Sequence, residues 1–113
     1  MAFDEKLADR VRRQVGKRGG LSEKKMFGGL AFLVHGNMSC GIHGSELIVR
    51  IDPETTESAL SEPGTRIFDM TGRPMKGWLL VGAAGLKDET ALAKWVRRGL
   101  DYAASLPKKV PRP

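Results

Sequence analysis

Hydrophobic residues recur at every fourth position near the start of the chain, and charged or polar residues fill the positions between them. The apolar positions are Phe3, Leu7, Val11 and Val15. This spacing is typical of an amphipathic helix that packs on a core. We predict a helix over residues 4–17, which ends at Gly16, Gly19 and Gly20 because glycine lowers helix stability and readily adopts the left-handed conformation of helix ends.

Three short apolar segments follow, over residues 30–34, 38–42 and 46–51. They are separated by the tripeptides His35-Gly36-Asn37 and His43-Gly44-Ser45. Connections this short join antiparallel neighbours, since a parallel pair needs a crossover of a dozen or more residues. We therefore predict a three-stranded meander, and the alternation in its third strand places one face on a core.

The second half of the chain predicts two helices and two further strands. Asp52 and Pro53 suit the start of a helix over residues 52–61, which ends at Pro63-Gly64. Residues 65–69 and 76–81 have the composition of strands. Asp88 is an expected N-cap for a last helix. Its apolar face is predicted to contain Leu92, Trp95, Val96, Gly99, Tyr102, Ala103 and Leu106, and Pro107 ends it.

The predicted order is helix, three strands, helix, two strands, helix (α-β-β-β-α-β-β-α). This order indicates an α+β, two-layer domain in which helices cover an antiparallel sheet. We expect one domain over residues 1–107 and a disordered, basic, proline-rich tail over residues 108–113. One sheet face is expected to stay open, which would make Arg50 and Arg66 candidates for a dimer or partner surface.

Composition narrows the classes of function. The chain has 113 residues, of which 41% are hydrophobic, and no apolar run approaches the roughly 20 residues that span a bilayer. The N-terminal residues lack the pattern of a secretory signal, and Cys40 has no second cysteine to pair with. We therefore expect a cytoplasmic protein that has no membrane partner.

The formal net charge of +6 raises the question of nucleic acid, because neutralised phosphates supply most non-specific affinity. Much of the excess charge lies on the first predicted helix and in the tail, where solubilising charge is the simpler interpretation. The predicted core also takes up most aromatic residues, which leaves few rings to stack on bases. Non-specific binding of nucleic acid is retained as an alternative.

Few residues suggest catalysis or a metal. Cys40, His43 and His35 are close in sequence, but zinc needs three or four ligands and a cysteine nucleophile needs an oriented base. Cys40 and His43 are also expected on opposite faces of a regular strand. Gly28-Gly29 lacks the spacing of a phosphate-binding loop, so a bulge or a strand entry is the favoured interpretation.

The segment Thr71-Gly72-Arg73-Pro74-Met75-Lys76-Gly77-Trp78 places two cations and two glycines just before an apolar strand. Arg73 and Lys76 are candidates for binding an anion or an acidic partner. The alternative is structural: Arg73 would bond backbone carbonyls, and Met75 and Trp78 would pack as anchors. We favour the structural interpretation, and the segment contains no set of catalytic groups.

Several separated motifs carry a resemblance to a known family. They are Lys24-Lys25-Met26-Phe27-Gly28-Gly29-Leu30-Ala31-Phe32, Gly36-Asn37-Met38, the segment 71–78, Trp95-Val96, and Tyr102-Ala103-Ala104-Ser105-Leu106-Pro107. In this order and spacing, the chain resembles the TfoX N-terminal domain family from the first helix to Pro107. The resemblance implies a two-layer domain like the secretion-chaperone folds, a link to bacterial competence regulation, and little chemistry.

Longer family members carry a second, C-terminal domain similar to helix-hairpin-helix modules. This sequence has no such segment after the third helix, which weakens the expectation of competence regulation and of direct DNA binding.

We therefore expect a non-catalytic interaction or regulatory module that needs no cofactor and no metal. Its partner is expected to be another protein or a second copy of the chain. The candidate residues for binding a partner or an anion are Arg73, Lys76, Arg50, Arg66, Lys24 and Lys25. The alternative is a basic accessory protein that binds nucleic acid non-specifically.

Overall fold

The computed structural model describes residues 4–16, 20–26, 29–69 and 76–107. Within them, the helices are α1 (Glu5–Val15), α2 (Thr56–Leu60) and α3 (Glu89–Ser105). The strands are β1 (Leu21–Met26), β2 (Gly29–Val34), β3 (Asn37–His43), β4 (Glu46–Arg50), β5 (Thr65–Ile67) and β6 (Trp78–Val81). Short 3-10 turns cover Pro53–Thr55 and Ala83–Gly85. The α+β class with an antiparallel sheet is confirmed.

The order of elements contains one strand that the sequence pattern did not predict, β1 (Leu21–Met26). Its sequence, Leu-Ser-Glu-Lys-Lys-Met, is mostly polar. β1 lies at one edge of the sheet, where it pairs with β2 alone. Lysines are common on edge strands because they discourage further strand pairing. An edge strand of this kind lacks the apolar alternation by which strands are recognised.

The sheet has the strand order β1-β2-β3-β4-β6-β5, and neighbouring strands are antiparallel. The β2–β3 turn uses His35 and Gly36, both at positive φ (49° and 84°), as a tight two-residue hairpin requires. An irregularity follows in β3, where Phe32 pairs with Cys40 but Leu33 pairs with Met38. The extra residue, Ser39, donates its hydroxyl to the Phe32 carbonyl (2.8 Å). This bulge turns Met38 toward the face opposite the helices.

The helices pack on one face of the sheet and form the main core with it. Helix residues in this core include Leu7, Val11, Leu92 and Trp95, and strand residues include Phe32, Cys40, Val49 and Leu79. Each fully buried aliphatic side chain contributes about 1.5–3 kcal/mol by its removal from water. α3 lies directly on β3: a Cβ added at Gly99 would be 2.3 Å from the Ser39 carbonyl oxygen.

The predicted helix starts are confirmed at both long helices. Asp4 accepts hydrogen bonds from the backbone of Lys6 and Leu7, and Asp88 accepts one from Ala91 (2.7 Å). A side-chain oxygen at this position satisfies backbone donors that the helix itself leaves unpaired. Within the described residues, no helix has both the length and the hydropathy that crossing a bilayer requires.

The opposite face of the sheet receives no helix from the described residues, and it is apolar at its centre. Its centre is a second apolar cluster whose buried members are Ala31, Met38, Ile48, Phe68 and Leu80, with Leu33 and Trp78 partly buried beside them. Ile48 is only 2% exposed. Polar and charged side chains on this face lie around the cluster rather than at its centre. The partner surface must therefore be sought at the margins of the sheet.

Candidate interaction surface

Arg50, at the end of β4, contacts two aromatic rings that come from different layers of the fold. Its guanidinium carbon lies over the ring of Trp78 in β6, 5.1 Å from the centroid, and over the ring of Tyr102 in α3, 5.6 Å from the centroid. All three residues are partly exposed. Cations over aromatic faces are held by the ring quadrupole, so the arginine is restrained but accessible.

The backbone around Trp78 is fixed by hydrogen bonds. Arg50 and Trp78 are directly paired across β4 and β6. Just beyond this pair, the Ile51 N–H donates to the Gly77 carbonyl (2.8 Å) and the Gly77 N–H donates to the Thr56 hydroxyl (2.9 Å). Gly77 has a φ of 86°, a conformation that glycine adopts without steric cost. The turn before β6 therefore sets where the indole ring of Trp78 lies.

Trp78 does not form the fully buried anchor that its sequence context suggested. The ring is partly exposed and packs edge-on against Phe68, with the centroids 6.3 Å apart. The tryptophan that is buried in the main core is Trp95, at 1% exposure. Trp78 thus joins the second apolar cluster to the partly exposed Arg50.

Tyr102 reaches Arg50 because the end of α3 is held against the sheet. Gly99 allows the helix to touch β3, and the buried Asn37 side chain donates to the Pro107 carbonyl (2.8 Å). The sequence pattern had placed Tyr102 on the buried face of the helix. Amphipathicity alone gave no signal for its contact with Arg50, because that contact joins residues far apart in the chain.

The structure brings together only some of the predicted candidates. Lys76 is exposed in the turn two residues before Trp78, close to the Arg50 strand pair. Arg73 lies outside the described residues, and its role stays a prediction. We call the set Arg50, Trp78, Tyr102 and Lys76 the aromatic–arginine surface.

Arg66 has a different environment from Arg50. It lies on β5, opposite Leu80, and forms an ion pair with Glu46 of β4. The arginine side chain is 54% exposed, so the pair is solvated and contributes little to stability. The charge of Arg66 is already balanced, which makes it a weaker candidate for binding a partner.

Lys24 and Lys25 are exposed on β1, at the far side of the sheet. Three strands, β2, β3 and β4, lie between β1 and β6. With neighbouring strands about 4.8 Å apart, this separates the lysines from Trp78 by roughly 19 Å. The two lysines and the aromatic–arginine surface therefore cannot form one compact site.

A second cation–aromatic group lies nearer the start of α3 than Tyr102 does. Lys94 and Arg98 both form ion pairs with Glu62, and both lie over the Trp95 ring, at 5.2 and 4.6 Å from its centroid. Burial alone raises the pKa of Glu62, but the hydrogen bonds from Lys94 and Arg98 outweigh it and lower that pKa below its usual value. We call Glu62, Lys94, Arg98 and Trp95 the Glu62 cluster.

Cys40 is enclosed in the main core, and burial raises the pKa of its thiol to about 12. A thiol with this pKa stays protonated near neutral pH and is a poor nucleophile. His43 follows on β3, where it pairs with Glu46, on the face opposite the core side chain of Cys40. Within residues 4–16, 20–26, 29–69 and 76–107, no three His, Cys, Asp or Glu side chains are gathered as a metal site requires.

Gly29 is the first residue of β2, which agrees with the prediction that glycine here permits entry into a strand. A Cβ added there would lie 1.9 Å from the Ile42 carbonyl oxygen. Close approach of two strands therefore explains glycine at this position. Gly28 lies outside the described residues.

Among known proteins, the chain matches one family model. No curated protein and no solved structure matches the chain. The family model of the TfoX N-terminal domain matches residues 13–103, which include the last three residues of α1, the whole sheet and most of α3. The chain therefore belongs to the TfoX N-terminal domain family.

Proposed function

We propose that this chain is a non-catalytic interaction module of the TfoX N-terminal type, which binds a protein partner through the aromatic–arginine surface. The observation that carries the proposal is the partly exposed guanidinium of Arg50, held over the rings of Trp78 and Tyr102. A role in bacterial transcriptional or competence regulation is part of the proposal and rests on family membership.

The composition of the surface supports binding to protein. Tryptophan, tyrosine and arginine are the residues most enriched among those that dominate binding energy at protein interfaces. Large rings bury much apolar area at a small entropic cost, and arginine adds directional hydrogen bonds. Exposed Lys76, two residues before Trp78 in the chain, adds a positive charge.

The charge balance around Arg50 also supports the proposal. Within the described residues, the Arg50 guanidinium forms no ion pair, whereas Arg66, Arg10, Arg12 and Arg98 each pair with a carboxylate. An arginine whose donors bind no carboxylate among the described residues retains them for water or for another molecule. The absence of catalysis is proposed because Cys40, the candidate nucleophile, is buried and protonated.

The proposal is tested by affinity capture from a bacterial extract with three forms of the chain. They are the wild type, Arg50→Gln with Lys76→Gln, and Lys24→Gln with Lys25→Gln as a control of equal charge at the far edge of the sheet. We expect the first double variant to lose captured proteins that the control retains. Equal capture by all three forms would remove the aromatic–arginine surface from the proposal.

A second candidate function, non-specific binding of nucleic acid, is favoured by the exposed lysines of β1 together with the net charge of +6. It predicts binding to a DNA duplex that weakens steeply with added salt, because each neutralised phosphate releases a counterion. Titration of labelled duplex at low salt tests it. In this case the Lys24 and Lys25 variant should lose affinity, which is opposite to the expectation for protein capture.

A further inference from the structure

Building on the proposed function, we infer that the aromatic–arginine surface binds a single carboxylate that stands beside an apolar residue on the protein partner. Three features of the chain support this chemistry of the partner: the partly exposed Arg50, the two aromatic rings that it contacts, and the acidic residues that lie near these positions in the sequence.

The first feature is the position of the guanidinium. Its central carbon lies 5.1 Å from the centroid of the Trp78 ring and 5.6 Å from that of the Tyr102 ring, and Arg50 is partly exposed. The N–H donors of a guanidinium form a planar fork that matches the two oxygens of a carboxylate. Because the two rings already restrict the side chain, less rotamer freedom is lost when a carboxylate binds.

The second feature is the apolar area next to the fork. Trp78 and Tyr102 are partly exposed, and Trp78 continues into the second apolar cluster through Phe68. A residue that follows or precedes the bound carboxylate would therefore rest on an aromatic ring. An aliphatic or aromatic residue gains more from this contact than a polar one.

The third feature argues against a polyanion. Exposed carboxylates flank the surface in the chain: Asp52 and Glu54 follow β4, Asp69 follows Phe68, and Asp101 precedes Tyr102. A nucleic-acid backbone or a run of acidic residues would place several negative charges near these groups, and like charges repel. One carboxylate can pair with Arg50 while bringing a single negative charge to the surface instead of several.

The experiment uses the full chain and defined, labelled probes. The first probe is a short peptide with one central glutamate between leucine and phenylalanine. The second has glutamine in place of glutamate, the third has serines in place of the two apolar residues, and the fourth is a single-stranded oligothymidylate. Binding is followed by fluorescence anisotropy and by the NMR signals of the Arg50 and Trp78 side-chain N–H groups.

We expect the first peptide to shift both N–H signals and to bind at least about tenfold more tightly than the glutamine peptide, since a charge-assisted bidentate bond is lost in the latter. The serine peptide should also bind more weakly. Arg50→Gln should abolish the difference between glutamate and glutamine, while Lys24→Gln leaves it unchanged.

Two results would overturn the inference. One is equal binding of the glutamate and glutamine peptides, and the other is tighter binding of oligothymidylate than of any peptide. If native proteins are still captured in an Arg50-dependent manner, the proposed function survives and only the carboxylate is rejected. If capture does not depend on Arg50, the proposed function itself has failed.

Discussion

The Glu62 cluster and the aromatic–arginine surface use the same physical interaction in opposite ways. In both, cations lie within 6 Å of an aromatic ring. In the Glu62 cluster the ring belongs to the buried Trp95, and both cations are paired with one carboxylate. In the aromatic–arginine surface the rings are partly exposed, and Arg50 has no ion pair within the described part of the chain.

The difference shows what distinguishes a structural contact from a candidate binding surface. A charge that is partly removed from water is stabilised by an opposite charge, because desolvation without compensation is costly. In the Glu62 cluster the side chains of Arg98 and Glu62 are 29% and 27% exposed, and their ion pair ties α3 to the segment that precedes β5. Arg50 in the aromatic–arginine surface has no such ion pair among the described residues, so water or a partner balances its charge. Substitutions that remove a charge in the first region should therefore change stability, and those that remove a charge in the second should change binding.

The largest effect is expected from Trp95→Ala. Trp95 is 1% exposed in the main core, so the substitution should leave a cavity and lower the free energy of unfolding by about 3–5 kcal/mol. Trp78→Ala should cost roughly 1–2 kcal/mol because its ring is already partly in water. Urea denaturation of both variants measures the difference. Equal losses would contradict the distinction between a buried and an exposed ring.

Gly99→Ala should affect both regions, because α3 carries Trp95 and Tyr102 alike. The added Cβ would lie 2.3 Å from the Ser39 carbonyl oxygen, which should displace the helix and cost about 1–3 kcal/mol. Alanine favours helix over glycine by about 1 kcal/mol, so Ala104→Gly, exposed on the same helix, controls for propensity. A more stable Gly99→Ala variant would show that α3 can move away from β3 at no cost.

Glu62→Gln should cost about 1–2 kcal/mol at neutral pH by removing the carboxylate that pairs with Lys94 and Arg98. Because these contacts lower the pKa of Glu62, its contribution is complete above the unfolded-state value of about 4.3 and is lost as pH falls through the lower folded-state value. Denaturation of wild type and variant between neutral and acidic pH should therefore show two curves that converge on acidification.

The matched control for that titration is Glu57→Gln, since Glu57 is exposed on α2. Its curve should run parallel to that of the wild type. A difference between wild type and Glu62→Gln that grows toward acidic pH would contradict the assigned role of the carboxylate.

The smallest effect on stability is expected from Arg50→Gln. The cation–aromatic contacts at a partly exposed site contribute about 0.5–1 kcal/mol, and no carboxylate within the described residues loses its partner. Urea denaturation should place this variant close to wild type, while carboxylate binding is lost. A loss as large as that of Glu62→Gln would assign Arg50 a structural role instead.

The elements that the sequence predicted well are those with strong local signals. The alternation of Leu47, Val49 and Ile51 correctly predicted which face of this strand packs on the core, and Asp88 correctly predicted where α3 begins. The features that the sequence did not predict depend on contacts between residues that are distant in the chain. β1 is polar because only one of its edges is paired, and Met38 changes face because Ser39 forms a bulge.

The candidate site was predicted less well, for the same physical reason. Arg50 and Lys76 were named from charge, but their neighbours are set by pairing between β4 and β6 and by the docking of α3. The positive charge of the two arginines could not show that their environments differ. The difference is that Arg66 forms an ion pair with Glu46. Trp78 and Tyr102 looked like core residues, since periodicity indicates a face and not the depth of burial.

The order of strands has a consequence for the kinetics of folding. β1 to β4 pair with consecutive neighbours, whereas β6 pairs with β4 and places β5 outside it. Local hairpins close at a small entropic cost, and the β4–β6 junction closes a longer loop. We therefore expect the meander to form before that junction. Arg50 and Trp78 face each other across the junction, so the aromatic–arginine surface forms only when β4 and β6 pair.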